Sequence, residues 1–323
     1  MAPRLDAVDL VVRARRGEAR AVARLISLVE NASPYLREIA AALAPYTGRA
    51  QVVGLTGAPG VGKSTSTSAL VAALRRRGNR VGVLAVDPSS PFSGGALLGD
   101  RVRMSEHATD DGVFIRSMAT RGHLGGLAWS TPQALRVLDA AGCDVVLVET
   151  VGVGQSEVDV VSLADTTIVL LAPGMGDEVQ AAKAGILEIA DVFVVNKADR
   201  DGAAQTAREL RHMISLGDRP NGDGDLWKPP IVRTVASRGE GVDDVVAAVD
   251  AHREWLDRSG ERDRRRLQRA ESEIQAIALE QVRARLGEVG DATALPELAK
   301  RVAAGELDPY RASDELLDRI AEG

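Results

Sequence analysis

The sequence predicts an α/β fold, with a mostly parallel central sheet, helices on both of its faces and helical extensions at each end. Two observations predict it. Seven short aliphatic runs, "QVVGLTG", "RVGVLAVD", "GVFIRS", "DVVLVET", "TTIVLLAP", "DVFVVNK" and "PIVRTVAS", alternate with helical segments between residues 51 and 250. Each run is continuously apolar rather than alternating, the pattern of strands buried on both faces, as in a parallel sheet covered by its crossover helices. Ligands of such sheets bind at the carboxyl ends of the strands.

Composition fits one such core with additions. The chain has 323 residues, 45% of them apolar and 27% charged, while aromatics are only 3%, so the core is built from aliphatic side chains. A net charge of −6 argues against a nucleic-acid groove, which needs a concentrated basic surface. The one dense basic cluster, Arg262 with Arg264, Arg265 and Arg266, is interleaved with Glu261 and Asp263 and reads as a solvated helix face. Cys143 is the sole cysteine, which rules out an internal disulfide and suits a reducing compartment. Its place in "AGCDVVLVE", at the mouth of a strand, reads as a structural thiol. The N-terminus has no signal-peptide apolar run, and no stretch approaches the roughly 20 apolar residues that span a bilayer. The expectation is a cytoplasmic protein with no membrane and no nucleic-acid partner.

Taken in order, residues 1–48 form an N-terminal helical segment. Leu25, Leu28 and Val29 supply its apolar stripe, and "NASP" at 31–34 breaks and restarts it. Residues 49–258 form the α/β domain, interrupted by a Gly-, Pro- and Asp-rich stretch at 215–230 that reads as a surface loop. Residues 259–323 form a charged helical segment. Its stripe of Leu267, Ala270, Ile274 and Ile277 must be buried either on the core or in a dimer interface, and spacing alone does not choose. A last helix follows "GELDPY", with Asp308 as cap and Pro309 in its first turn.

The first aliphatic run leads into Gly57-Ala58-Pro59-Gly60-Val61-Gly62-Lys63-Ser64, which fits G-x-x-x-x-G-K-[ST] between a strand and a helix. This is the phosphate loop of a P-loop NTPase. Its glycines let backbone N–H groups wrap a phosphate, the following helix points its positive end at the anion, and Lys63 neutralises the β- and γ-phosphates. The hydroxyl of Ser64 is a candidate Mg²⁺ ligand. Glu149, at the end of "DVVLVET", stands where P-loop enzymes hold Mg²⁺ through water or orient the attacking water, and the N–H of Gly152 is placed to sense a γ-phosphate. Asp87, at the end of a strand expected beside the P-loop strand, is a further candidate ligand, with a turn cap as the alternative.

The base is read by "NKAD". The Asp199 carboxylate can accept from the guanine N1–H and 2-amino groups, which adenine does not offer together, and Lys197 can lie along the base plane beside Asn196. The pattern selects GTP and GDP over adenine nucleotides. Val235-Ala236-Ser237, ending the last run, would close over the guanine through backbone N–H groups. Where Ras-like enzymes place the water-orienting glutamine, this chain has Val153, so intrinsic hydrolysis should be slow. Gln155, Gln180 and Lys183 are candidates that a partner could bring to the γ-phosphate. The four histidines, His107, His123, His212 and His252, show no metal-ligand grouping.

With these residues assembled, the chain resembles the methylmalonyl-CoA mutase accessory G proteins, the MeaB family, members of which were often labelled lysine/arginine/ornithine transport ATPases. The resemblance runs through "GLTGAPGVGKST", "VLAVDPSSPFSGGALLGDRVRM", "RSMATRGHLGGLA", "ETVGVGQSEVDV" and "APGMGDEVQAAKAGILEIADVFVVNKAD" to "LDPYRASDELL". It implies a SIMIBI-like G domain in a cytoplasmic homodimeric GTPase. The implied role is to bind an adenosylcobalamin-dependent acyl-CoA mutase, gate its cofactor loading and protect or reactivate it. It also implies that nucleotide contacts extend to Thr65, that Mg²⁺ lies near Ser64, Asp87 and Glu149, that switch loops lie at 87–99, 149–157 and 175–183, and that the C-terminal helices form the dimer arm. Where family members commonly carry Ser-Ala, this chain has Val235-Ala236. Two other readings stay open, an ATP-dependent kinase or ATPase linked to amino-acid transport, and a metallochaperone GTPase.

Overall fold

In a computed structural model of the chain, residues 5–88, 105–107, 109–120, 130–150, 162–174, 189–217, 226–289 and 294–321 are described. Seven strands, β1 (Gln51–Thr56), β2 (Val81–Pro88), β3 (Val113–Thr120), β4 (Val145–Thr150), β5 (Thr166–Leu171), β6 (Val192–Val195) and β7 (Ile231–Arg233), form one sheet in the order β3-β2-β4-β1-β5-β6-β7. Every pairing is parallel. The seven aliphatic runs are these seven strands.

The helices of this part are α1 (Ala7–Arg15), α2 (Ala19–Glu30), α3 (Leu36–Leu43), α4 (Lys63–Arg76), α5 (Ser130–Ala140), α6 (Ala203–Gly217) and α7 (Val242–Ser259). Alternate residues of each strand face opposite layers. On β4, Val145 and Leu147 pack with α4 and α7, while Val146 and Val148 pack with α1, α2, α3 and α5. On β5, Ile168 and Leu170 join the first of these cores, and Val169 and Leu171 pack with α6. Both faces are apolar because both are covered, which is why the runs show no alternation.

The N-terminal helices expected as an appendage are therefore part of the core. Leu25, Ile26 and Val29 are fully buried in the same cluster as Leu84 and Met118 of the sheet. Ala32, at the break between α2 and α3, takes a positive φ of 48°. Cys143 is buried before β4, and burial pushes its thiol up to about 12, in keeping with a structural role. Of the stretch expected as a surface loop, residues 215–217 belong to α6, which continues to Gly217, and residues 218–225 lie outside the described residues. Beyond it, Trp227 packs against His252 and Trp255 and donates its indole N–H to Asp191 O at 2.7 Å.

The chain divides into two compact units, residues 1–262 and 263–323. The second contains most of α8 (Glu261–Val289) with α9 (Ala294–Ala303) and α10 (Pro309–Ala321). Within it, Leu298 is buried and Arg301 pairs with Glu315 at 2.8 Å. Asp308 caps α10 by accepting from the N–H groups of Tyr310 and Arg311, both at 3.0 Å, as the sequence predicts.

Candidate functional site

The ends of β1, β4, β6 and β7 bring the predicted nucleotide residues to one edge of the sheet, the carboxyl edge where open parallel sheets bind ligands. The turn between β1 and α4 depends on two of its glycines. Gly57 has a φ of 145°, and a Cβ there would sit 2.3 Å from Leu170 O; Gly62 has a φ of 95°, and its Cβ would sit 2.6 Å from Asn196 Nδ2. Helix α4 begins at Lys63 with Gly62 as its N-cap and no side-chain cap. Its first N–H groups and the positive end of its dipole are thus directed at the turn, the arrangement that accepts phosphate.

Lys63 is buried, and its Nζ donates to Gly57 O at 2.5 Å and Ala58 O at 3.2 Å, so the cation lies within the loop. Ser64 Oγ lies 2.6 Å from Glu149 Oε1, and Glu149 is only 1% exposed. The phosphate loop and the end of β4 are therefore joined at two of the three residues expected to serve Mg²⁺. A hydroxyl has one donor and two acceptor lone pairs, so Ser64 can give its proton to Glu149 and still ligate a cation. A hydroxyl and a carboxylate are hard oxygen donors that suit Mg²⁺, which takes its other ligands from water and phosphate. These residues fit the ion. Among the described residues, no group of three or more His, Cys, Asp or Glu side chains could hold a metal.

The strand carrying Asp87 was expected beside the P-loop strand. It is one strand removed, because β4 inserts between β1 and β2 and aligns Leu55 with Glu149 on one side and Ala85 with Glu149 on the other. Asp87 pairs in register with Ala119, and its side chain lies outside the described residues. Gly152, Gln155 and Lys183 also lie outside them, as do Val153, Gln180 and His123. Pro59, Gly60 and Thr65 are exposed, and Ala58 and Val61 pack into the core beneath the loop.

Asn196 is the junction between the phosphate loop and the base-reading segment. It is 3% exposed; its Nδ2 donates to Val61 O at 2.9 Å, and its Oδ1 accepts from Thr234 Oγ1 and Ala236 N, both at 3.1 Å. Lys197 takes a left-handed φ of 57° and sends Nζ to Gly60 O at 2.6 Å. Beyond them opens a cleft of about 260 Å³ lined by Ala198, Asp199, Arg233, Thr234, Val235, Arg238, Glu240 and Gly241. Asp199, the residue expected to read the guanine, is one wall of this cleft.

One expectation changes at this point. Val235 N–H donates to Glu240 O at 3.0 Å, and Ala236 N–H is held by Asn196, so these donors shape the turn rather than face a base. Ser237 is exposed beside them. Sequence reasoning passed over Thr234, Arg238 and Glu240, though the "RGEG" run directly after Ser237 was visible. Of the histidines, His252 is buried at the amino end of the sheet, its Nδ1 2.9 Å from Thr166 Oγ1 and its Nε2 3.3 Å from Asp191 Oδ1. His107 is held by Ser68 of α4, with Nε2 2.9 Å from its Oγ. No described helix is long and apolar enough to cross a membrane.

The family described as "Methylmalonyl Co-A mutase-associated GTPase MeaB" matches residues 22–291. A putative GTPase of Pyrococcus abyssi is 49% identical over 98% of this chain and 97% of its own length. The "methylmalonic aciduria type A homolog, mitochondrial" of Mus musculus is 35% identical over 94% of this chain and 76% of its own. Among solved structures, one titled "LAO/AO transport system kinase" superposes with a TM-score of 0.71 at 28% identity, covering 99% of this chain and all of that one.

Proposed function

We propose that this chain, which belongs to the MeaB family of GTPases, is a Mg²⁺-dependent guanine-nucleotide switch with slow intrinsic turnover. In this reading it acts in the cytoplasm as a G-protein chaperone of an adenosylcobalamin-dependent acyl-CoA mutase, with methylmalonyl-CoA mutase as the first candidate, gating cofactor loading and protecting or reactivating the enzyme. The observation that carries the nucleotide half is the Asn196 network, which fixes the phosphate loop against the segment bearing Asp199, so that phosphate and base are read by one rigid assembly. The mutase half is supported by the family's description and by the name of the mouse relative.

Each residue then has a defined task. The turn at 57–62 and the start of α4 cradle the phosphates, and Lys63 exchanges its loop carbonyls for phosphate oxygens. Mg²⁺, held by Ser64 with Glu149 behind it, would neutralise charge on the phosphates. Asp199 accepts from N1–H and the 2-amino group, and the stem of Lys197 borders the base. Val153 stands in place of a water-orienting glutamine, so rapid turnover awaits a group brought into position by the partner, with Gln155, Gln180 and Lys183 as the candidates on this chain and the N–H of Gly152 to sense the γ-phosphate.

A second copy of the chain is the proposed partner of α8, on which Leu267 and Ile274 are 62% and 67% exposed. Light scattering that returns the mass of one chain at micromolar concentration would remove the homodimer.

The nucleotide assignment is tested by competition against a fluorescent GDP with Mg²⁺ present. GDP should displace the probe at concentrations roughly 10⁴-fold below those ADP requires, since a site built to pair with a base edge rejects one that lacks it. Asp199→Asn should abolish that preference. Equal displacement by ADP would overturn it and favour the kinase reading that the solved relative's title suggests.

A further inference from the structure

We propose that Arg238 is an intramolecular competitor for the carboxylate that reads the base, so that guanine and this guanidinium exchange places on Asp199 and the exchange sets the rate of nucleotide release. The inference rests on the guanine reading of Asp199 given above.

Arg238 lies in the short 3₁₀ turn Ala236–Arg238 that follows β7, and it lines the same cleft as Asp199. Its Nη2 stands 3.3 Å from Asp199 Oδ2, and its Nε stands 3.0 Å from Glu240 Oε1. One guanidinium thus spans the base-reading carboxylate and a second acid on the cleft wall. The N1–C2–N2 edge of guanine is chemically a cyclic guanidine, a planar unit that offers two N–H donors to a carboxylate. Arginine offers the same fork. In this structure one arm of that fork, Nη2, lies at Asp199 while Nε lies at Glu240, so Arg238 supplies from within the chain a donor that the base would otherwise supply.

The pair has the strength a competitor needs. The side chains of Arg238 and Asp199 are 54% and 45% exposed, so water and salt screen them and the contact is easily broken. Glu240 makes that exchange inexpensive, because an arginine displaced from Asp199 keeps a carboxylate partner instead of being left alone beside a base. A guanidinium committed more firmly to Asp199 would block the pocket. A cleft without one would hold GDP longer than a switch requires.

The test measures affinity and release of a fluorescent GDP for the whole protein and for Arg238→Ala, with Arg238→Lys keeping the charge but not the fork. Arg238→Ala should bind GDP about two- to five-fold more tightly and release it correspondingly more slowly, the factor that an exposed ion pair is worth. Arg238→Lys should fall between the two, and the gap between wild type and Arg238→Ala should close as salt is raised. In an Asp199→Asn background, where xanthine nucleotides replace guanine ones, the same arginine substitution should leave XDP affinity unchanged. Unchanged or weaker GDP binding by Arg238→Ala, with the shift to XDP in Asp199→Asn intact, would overturn the competitor and leave the guanine reading standing. Absence of any shift to XDP would overturn both.

Discussion

Asn196 joins three backbone or side-chain groups that would otherwise be buried without partners: Val61 O, Thr234 Oγ1 and Ala236 N. Removing a buried carboxamide that satisfies several groups costs the desolvation of each one left behind. Asn196→Ala should therefore destabilise the chain by about 2–4 kcal/mol and weaken phosphate and base recognition together, read from denaturant unfolding and from GDP and pyrophosphate titrations. A variant with wild-type stability, or with base discrimination lost and pyrophosphate binding intact, would separate the two halves of the site. At this scale the sequence was most informative where a residue type is demanded by its ligand. Lys63, Ser64, Glu149 and Asp199 were named from chemistry alone, and the structure brings Ser64 and Glu149 together. It was silent on Arg238, because an ion pair between a turn after β7 and the end of the β6 segment exists only once both have folded. It also misplaced the donors of Val235 and Ala236, since a residue letter does not say which acceptor its N–H will find.

The turn between β1 and α4 shows how an element stores its requirement in glycines of unequal importance. Gly57 approaches the backbone of β5, where nothing can yield, whereas Gly60, with a φ of 81°, has no atom within 4 Å of where a Cβ would lie. Gly60→Ala should cost only about 1–2 kcal/mol of backbone strain. Gly57→Ala must push β5 away from β1 and should cost roughly 3 kcal/mol or more, seen as a large fall in unfolding midpoint. Similar losses for the two would show that the approach to Leu170 O is not what makes Gly57 necessary. Strands and most helices were legible because burial on both faces leaves long apolar runs. Their order was not. The strand ending in Asp87, β2, was expected beside β1, but β4 occupies that place, and nothing in the composition of either strand encodes its neighbour. The role of α1, α2 and α3 was hidden for a related reason: an amphipathic helix shows that it must be covered, not which sheet face covers it.

For the whole molecule, membership of the MeaB family of GTPases is what the comparisons show, and the switch with a client is the proposal built on it. The first unit carries every described residue of the proposed GTP site, while the second exposes the apolar stripe assigned to a second copy. The residues proposed to govern turnover, Gln155, Gln180 and Lys183, are the ones that a partner would have to position, so hydrolysis measured on the isolated chain reports only the basal state. The most direct measurement of the central claim is GTP turnover by the purified protein with and without a purified adenosylcobalamin-dependent acyl-CoA mutase, with Lys63→Ala defining the background. The account predicts slow basal turnover that the mutase raises by about tenfold or more, since one supplied or repositioned group can contribute that much to phosphoryl transfer, and no response in Lys63→Ala. Turnover that is already fast without the mutase, or that stays unchanged when the mutase is bound, would contradict it.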